Sequence, residues 1–252
     1  MEEQDDKTNH RRGIYLLPNL FTTAALFAGF YAVIAAIQGR FEPAAIAIFS
    51  AMVLDGLDGR VARLTNTQSD FGAEYDSLSD MVAFGVAPSL VVYEWALHGL
   101  GKIGWLAAFV YMAAAALRLA RFNTQIGVAD KRFFQGLPSP SGAAIIAAGV
   151  WIGADHTISG ADVSWLAAIV TAGVGLLMVS NFRYHSFKQI DVRGRVSFIV
   201  AVVLMLAFAV VFVHPPIVLF LGFSTYAVSG PVLTLLRRRQ RRASRKRERD
   251  VG

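Results

Sequence analysis

Eight apolar runs, near 16–38, 41–59, 76–97, 103–122, 139–154, 162–182, 196–213 and 216–236, take up most of this 252-residue chain. A hydrocarbon core needs about 20 apolar residues per helical crossing. Lipid offers the backbone no hydrogen-bond partner, so a spanning segment of this kind must bond within itself as a helix. The chain therefore reads as an all-α, polytopic membrane helix bundle of about eight transmembrane helices. Only 17% of its residues are charged, against about 25% in a soluble globular domain, and its mean hydropathy is +0.48. One membrane domain over 13–236 is expected, between a polar N-terminus (1–12) and a basic tail (237–252), with no separate soluble domain. No small-residue cleavage site follows the first apolar run, so that run is expected to be retained. Cysteine is absent, which excludes disulfides and thiolate metal sites.

Basic residues alternate along the connections. Lys7, Arg11 and Arg12 precede the first run, and Arg60 and Arg63 follow the second. Arg118, Arg121, Lys131 and Arg132 lie at or after the end of the fourth; Arg183, Lys188, Arg193 and Arg195 fill the link from sixth to seventh. The remaining connections are poor in Lys and Arg. Under the positive-inside rule both termini are cytoplasmic, in a cytoplasmic (inner) membrane, and the number of spans is even. The tail, with Arg237, Arg238, Arg239, Arg241, Arg242, Arg245, Lys246, Arg247 and Arg249, suits a stop-transfer anchor and adds attraction to anionic membrane lipid. It lacks aromatic interleaving, so nucleic acid is not an expected partner. It is expected to be disordered or a frayed helical extension.

Against this background four acids stand out: Asp55, Asp58, Asp76 and Asp80. A charged side chain within a bilayer costs at least a few kcal/mol, and four neighbouring carboxylates repel one another unless a positive charge lies between them. Spacings of three and four residues place each pair on one helical face. A short connection makes the two helices antiparallel neighbours with opposed acidic faces. Oxygen ligands from facing helices suit Mg²⁺, Mn²⁺ or Ca²⁺, and two ions are natural for four carboxylates. Gly56, Gly59 and Gly72 leave room for a polyanion at the backbone, and Arg63 lies within reach of phosphate. An ion-coupled transporter is the remote alternative, a role that four acids with two nearby arginines fit poorly.

The stretch Asp55-x2-Asp58-Gly59-x2-Ala62-Arg63, eight residues, Gly72-x3-Asp76-x3-Asp80 resembles the signature of the CDP-alcohol phosphotransferase family at all eight positions. The resemblance implies metal-dependent transfer of a phosphatidyl or related group from a CDP-linked donor to an alcohol, with release of CMP. It implies a two-metal site, Mg or Mn with Ca admissible, in which Asp55, Asp58, Asp76 and Asp80 are ligands and Asp80 is also the catalytic base. Gly59, Arg63 and Ser69 match positions that hold the CDP moiety. Pro18-Asn19-Leu20-Phe21-Thr22 resembles the family's nucleotide-facing segment, which adds Asn19 and Thr22. A homodimer is implied as well.

Three further segments, 76–88, Leu117-Arg118-Leu-Ala-Arg121-Phe-Asn123, and 134–142, resemble the membrane-type phosphatidylserine synthases of bacteria and archaea. The resemblance implies CDP-diacylglycerol and L-serine as substrates; glycerol phosphate, inositol phosphate or choline is the alternative acceptor. Serine is a zwitterion and needs a cation for its carboxylate. Arg118 and Arg121, one helical turn apart, supply guanidinium forks suited to it, and Asn123 lies just beyond. Both arginines also suit topology anchors that snorkel to the headgroups. No serine, cysteine or histidine is placed as a nucleophile, so direct transfer is expected.

Overall fold

Small residues decide how these helices meet. The computed structural model describes residues 3–124, 133–185, 205 and 212–251. The first two apolar runs form helices α1 (Glu3–Ile37) and α2 (Phe41–Thr65). A tight link joins them, in which Gly39 takes a φ of +72°, and the two pack along each other more extensively than any other pair. Alanine dominates their contact: Ala32, Ala35, Ala44, Ala45 and Ala51 are all buried. In lipid, association rests on close packing rather than on hydrophobicity, so short side chains are what bring the backbones together.

The third helix, α3 (Asp70–Leu100), is continuous but changes its winding. It is α-helical to Asp80, π-helical over Met81–Val86, α-helical over Ala87–Val92, π-helical over Tyr93–Leu97 and 3-10 over His98–Leu100. Gly101, at φ +58°, ends it. After it come α4 (Lys102–Thr124), α5 (Ser139–Asp155), α6 (Ser164–Val179) and α7 (Pro215–Val251). Helix α4 packs on α6, and α5 packs on both α2 and α7. At Gly29 an added Cβ would lie 2.8 Å from the Ala83 Cα, and at Gly175 2.9 Å from the Tyr111 Cα. These glycines set the distance of α1 from the π segment and of α6 from α4.

The chain is a multi-pass helical membrane protein. Among the described residues four stretches are long and apolar enough to cross a bilayer: Leu17–Ile37, Asp70–Leu100, Lys102–Thr124 and Pro215–Leu235, with Ser164–Val179 a shorter apolar helix. The expected run at 196–213 lies almost wholly outside the described residues, as do Lys131, Arg132, Lys188, Arg193 and Arg195. The basic tail, expected to be disordered or a frayed helical extension, continues α7 as helix to Val251, the second of those alternatives.

The described residues are helical as expected, with one short ribbon added. Strand β1 (Phe133–Gln135) pairs antiparallel with β2 (Arg183–His185), Phe134 opposite Tyr184. Gly136, at φ +80°, turns the chain out of β1. Its N–H donates to the Phe182 carbonyl (2.9 Å) and that of Leu137 to the Leu177 carbonyl (3.0 Å). Three residues per strand are too few to show an alternating pattern, and the partners lie about 50 residues apart in the chain, so the ribbon is invisible to periodicity. Tyr184 is its anchor: it is fully buried, its hydroxyl donates to the Ala227 carbonyl of α7 (2.9 Å), and its ring leans on Tyr226 at 5.4 Å. Burial, with Tyr226 adding to it, pushes the Tyr184 phenol up to about 12, so it stays a donor.

Gly29→Ala should lower stability by about 1–3 kcal/mol, because the new methyl meets backbone rather than a movable side-chain end. Gly173→Ala, where nothing lies within 4 Å, should leave it unchanged or raise it slightly. Thermal unfolding in one detergent compares the two; equal midpoints would remove close approach as the role of Gly29.

Candidate functional site

The acidic site begins with two helix caps. Asn66 ends α2 in the left-handed region (φ 53°, ψ 39°) with its N–H on the Ala62 carbonyl, a conformation that asparagine tolerates well. Ser69 starts α3 by accepting the Gly72 N–H on its Oγ at 3.0 Å, as an N-cap serine does. The four residues Asn66–Ser69 thus turn the chain abruptly, and the acidic end of α2 faces the acidic start of α3.

Across that junction Asp55, Asp76 and Asp80, each half-buried, offer carboxylate oxygens that all lie within 4.8 Å of one another. Three hard anionic donors at this spacing fit a divalent cation, and their mutual repulsion calls for one. Asp58 is set apart from the three. It is buried, and its Oδ2 accepts from the Thr22 hydroxyl of α1 at 2.8 Å. It also lies beside Asp76 and within charge range of Asp55, so it borders the cluster from the α1 side. Helix α1 also meets α3 at two hydrogen bonds: the Ser79 hydroxyl donates to the Thr22 carbonyl (3.1 Å), and Tyr75 and Thr23 share a hydroxyl contact of 2.9 Å.

The residues expected to hold a nucleotide fall into two groups. Gly59 and Arg63 are exposed, and at Gly56 and Gly59 an added Cβ would meet nothing within 4 Å. This side of α2 is open. Asn19 and Ser69 converge on Gly72, where an added Cβ would lie 3.6 Å from Asn19 Oδ1 and 3.1 Å from Ser69 Oγ. The Ser69 hydroxyl is occupied as a helix cap, and the Thr22 hydroxyl lies between Asp58 and the Pro18 carbonyl (3.1 Å).

The three residues expected on the acceptor side separate likewise. Arg118 lies within charge range of Asp80 and of Tyr111 and Tyr226. One end of its guanidinium donates to Ser139 Oγ at 2.8 Å, while its Nε is buried with no partner. Arg121 points elsewhere: its Nη2 donates to Gln135 Oε1 at the ribbon and to Asn181 Oδ1 at 2.8 Å. It therefore ties α4 to the end of β1 and to the residue two before β2. Asn123 donates to Ser77 Oγ at 2.9 Å, next to Asp76. Sequence reasoning gives no role to Ser77, Ser139 or Tyr226. Ser139, between Pro138 and Pro140 at the start of α5, carries the one available signal, a hydroxyl at a Pro-marked helix start.

A profile described as CDP-alcohol phosphatidyltransferase matches residues 15–228. The chain is similar to the CDP-diacylglycerol–serine O-phosphatidyltransferase of Helicobacter pylori strain 26695, 39% identical over 219 residues, 86% of this chain and 90% of that protein. It is similar to the protein of that name in Mycobacterium tuberculosis strain H37Rv, 32% identical over 237 residues, 89% of this chain and 81% of that one. The Bacillus subtilis protein of the same name is 35% identical over 174 residues, 69% of this chain and 92% of its own length.

Thr22→Val keeps the shape of the side chain and removes the donor to Asp58. Loss of such a second-layer hydrogen bond should weaken divalent-cation binding about tenfold, read by the electron paramagnetic resonance of free Mn²⁺. Unchanged affinity would detach Thr22 and Asp58 from the cluster.

Proposed function

From the premise that this chain belongs to the CDP-alcohol phosphatidyltransferase family, we propose that it transfers the phosphatidyl group of CDP-diacylglycerol to the hydroxyl of L-serine, forming phosphatidylserine and CMP. The observation that carries the chemistry is the convergence of Asp55, Asp76 and Asp80 beside an open glycine-lined face. The acceptor is supported by the names of the relatives and by a partly unpartnered guanidinium next to the acids.

Asp55, Asp58, Asp76 and Asp80 would hold two divalent cations, Mg or Mn, with Ca admitted by the same oxygen ligands. Cations bound there would neutralise the donor's pyrophosphate and stabilise charge on the transferring phosphoryl group. Gly59 lets the nucleotide approach the backbone, Arg63 pairs with its phosphate, and Asn19 with Ser69 lines the side toward α1. Thr22 serves the nucleotide side at one remove, by orienting Asp58. Arg118 binds the serine carboxylate, and Asn123, through Ser77, borders the same region. Arg121 holds the ribbon as a wall of the acceptor side.

Asp80 takes the proton from the serine hydroxyl. The freed oxygen attacks the β-phosphorus in line; as that P–O bond forms, the phosphoanhydride bond breaks and CMP departs. Transfer is direct: among the described residues the serines beside the site, Ser69, Ser77 and Ser139, are engaged as a helix cap or as partners of Asn123 and Arg118. The topology that goes with this reading has about eight spans, both termini and the acidic site at the cytoplasmic face of the inner membrane, and two copies per assembly. Its support is the positive-inside pattern, with Arg60 and Arg63 following the acids on α2.

Purified protein given CDP-diacylglycerol and Mn²⁺ should make lipid product with serine and not with glycerol phosphate, inositol phosphate or choline, as lipid chromatography would show. CMP release indifferent to serine would sink the acceptor assignment. Asp80→Asn should cut kcat by about 10²-fold or more while CDP-lipid binding changes little. Retained turnover would take the role of base from Asp80.

A further inference from the structure

The buried hydroxyl of Tyr111 has no part in the chemistry above, yet it meets α3 at the point where that helix leaves the acidic site. Tyr111, on α4, is fully buried, and its hydroxyl donates to the Phe84 carbonyl at 2.9 Å. Pro88 stands four residues after Phe84. Proline has no N–H, so the donor an α-helix would supply to that carbonyl is missing by chemistry. The helix answers with the wide π turn of Met81–Val86, which begins one residue after Asp80. The Ala87 N–H reaches back to the Val82 carbonyl, five residues away, and the Tyr111 hydroxyl supplies the Phe84 carbonyl from across the interface.

The winding matters because a π turn carries one more residue than the α-helix it interrupts. It rotates the N-terminal part of α3 by about 100° relative to the C-terminal part. The C-terminal part is packed in, with Ala87, Val91 and Val92 buried, and the turn itself is fixed at Phe84, which is buried, and at Ala83, which Gly29 admits at close range. A change in the turn alters the rotation between the two parts, and on the N-terminal side that rotation sets the direction of Asp76 and Asp80. Tyr111 is itself gripped, with Gly175 against its Cα and Gly142 near its hydroxyl. Arg118 lies seven residues beyond it, two turns along the same face of α4.

We propose that Tyr111 is a positioning residue: by satisfying the Phe84 carbonyl that Pro88 leaves without its helical donor, it holds the π turn that sets Asp80 and Asp76 against Asp55. This rests on the metal-site reading of those carboxylates, but its structural core concerns the chain alone.

The test uses Tyr111→Phe, which keeps the ring and removes only the hydroxyl, in the natural background and in Pro88→Ala, which restores an N–H at position 88. In metal-free protein, amide exchange over 81–89 should quicken in Tyr111→Phe. Mn²⁺ affinity and kcat should each fall about tenfold, as for other supporting contacts of a metal site, with the KM for CDP-diacylglycerol within about twofold. In the Pro88→Ala background the further loss on Tyr111→Phe should be clearly smaller, because the carbonyl then has its own helical donor. Unchanged exchange and unchanged Mn²⁺ affinity would overturn the proposal. So would equal losses in both backgrounds, or a joint loss of metal and CDP-lipid binding, which marks general unfolding. Quickened exchange together with an absence of Mn²⁺ binding in the unsubstituted protein would instead condemn the metal reading, and with it the placement of the acids as the purpose of Tyr111.

Discussion

Like charge forced together is the constraint on which this structure turns. Asp55, Asp76 and Asp80 bring carboxylate oxygens within 4.8 Å of one another in a chain otherwise made for lipid, where each ionised group is expensive. Much around them opposes that repulsion by covalent and hydrogen-bonded means. Asn66 and Ser69 compress the turn between α2 and α3, and α1 reaches in with Thr22 and Thr23 as partners of Asp58 and Tyr75. Alanine and glycine let α1 lie close enough to do so. Arg118 supplies the nearby positive charge that belongs to the chain itself.

This centre is legible in the sequence because its determinants are local. Two pairs of acids, at helical spacing on either side of a short connection, specify facing ligands whatever the rest of the chain does. The helical class is legible for a similar reason: lipid leaves a spanning segment few options, and apolar length registers directly. The features hidden from the sequence depend on partners far apart in it. Thr22 meets Asp58 across 36 residues, and Arg121 meets Asn181 across 60; neither bond leaves a trace in either segment. The ribbon is too short for periodicity, and a π turn differs from an α turn by one residue of winding. Pro88 is visible within an apolar run, but its consequence is not, because the donor that answers it comes from another helix.

Arg118 and Arg121 show the limit most plainly. One turn apart on the same helix and identical in chemistry, they form a pair in the sequence. In the fold their partners separate them. Gln135 and Asn181 take up Arg121 with neutral oxygens, which fixes its position without cancelling its charge. Arg118 is turned inward, given one hydroxyl, and left with a buried nitrogen unpartnered. A guanidinium carries five donors in a fixed fork, and a buried donor without an acceptor is costly. Of the two, the inner arginine therefore has the greater incentive to bind an anion.

That asymmetry bears on how the site is divided between two substrates. The face of α2 at Gly56 and Gly59 is open, and the wall it presents is backbone, which discriminates little among extended polyanions. The α4 side presents a guanidinium within charge range of Asp80, held by Ser139 at the start of α5. On the proposed reading, affinity for the donor comes from charge and room, whereas choice of acceptor comes from a buried cation that pairs best with a planar carboxylate. A hydroxyl compound lacking that carboxylate would leave Arg118 buried and unsatisfied. Discrimination of this kind exceeds what shape alone supplies, and it requires that the wall behind Arg118 not yield. The Ser139 hydroxyl that accepts from its guanidinium and the buried Tyr111 in charge range of it are the contacts that surround Arg118 there.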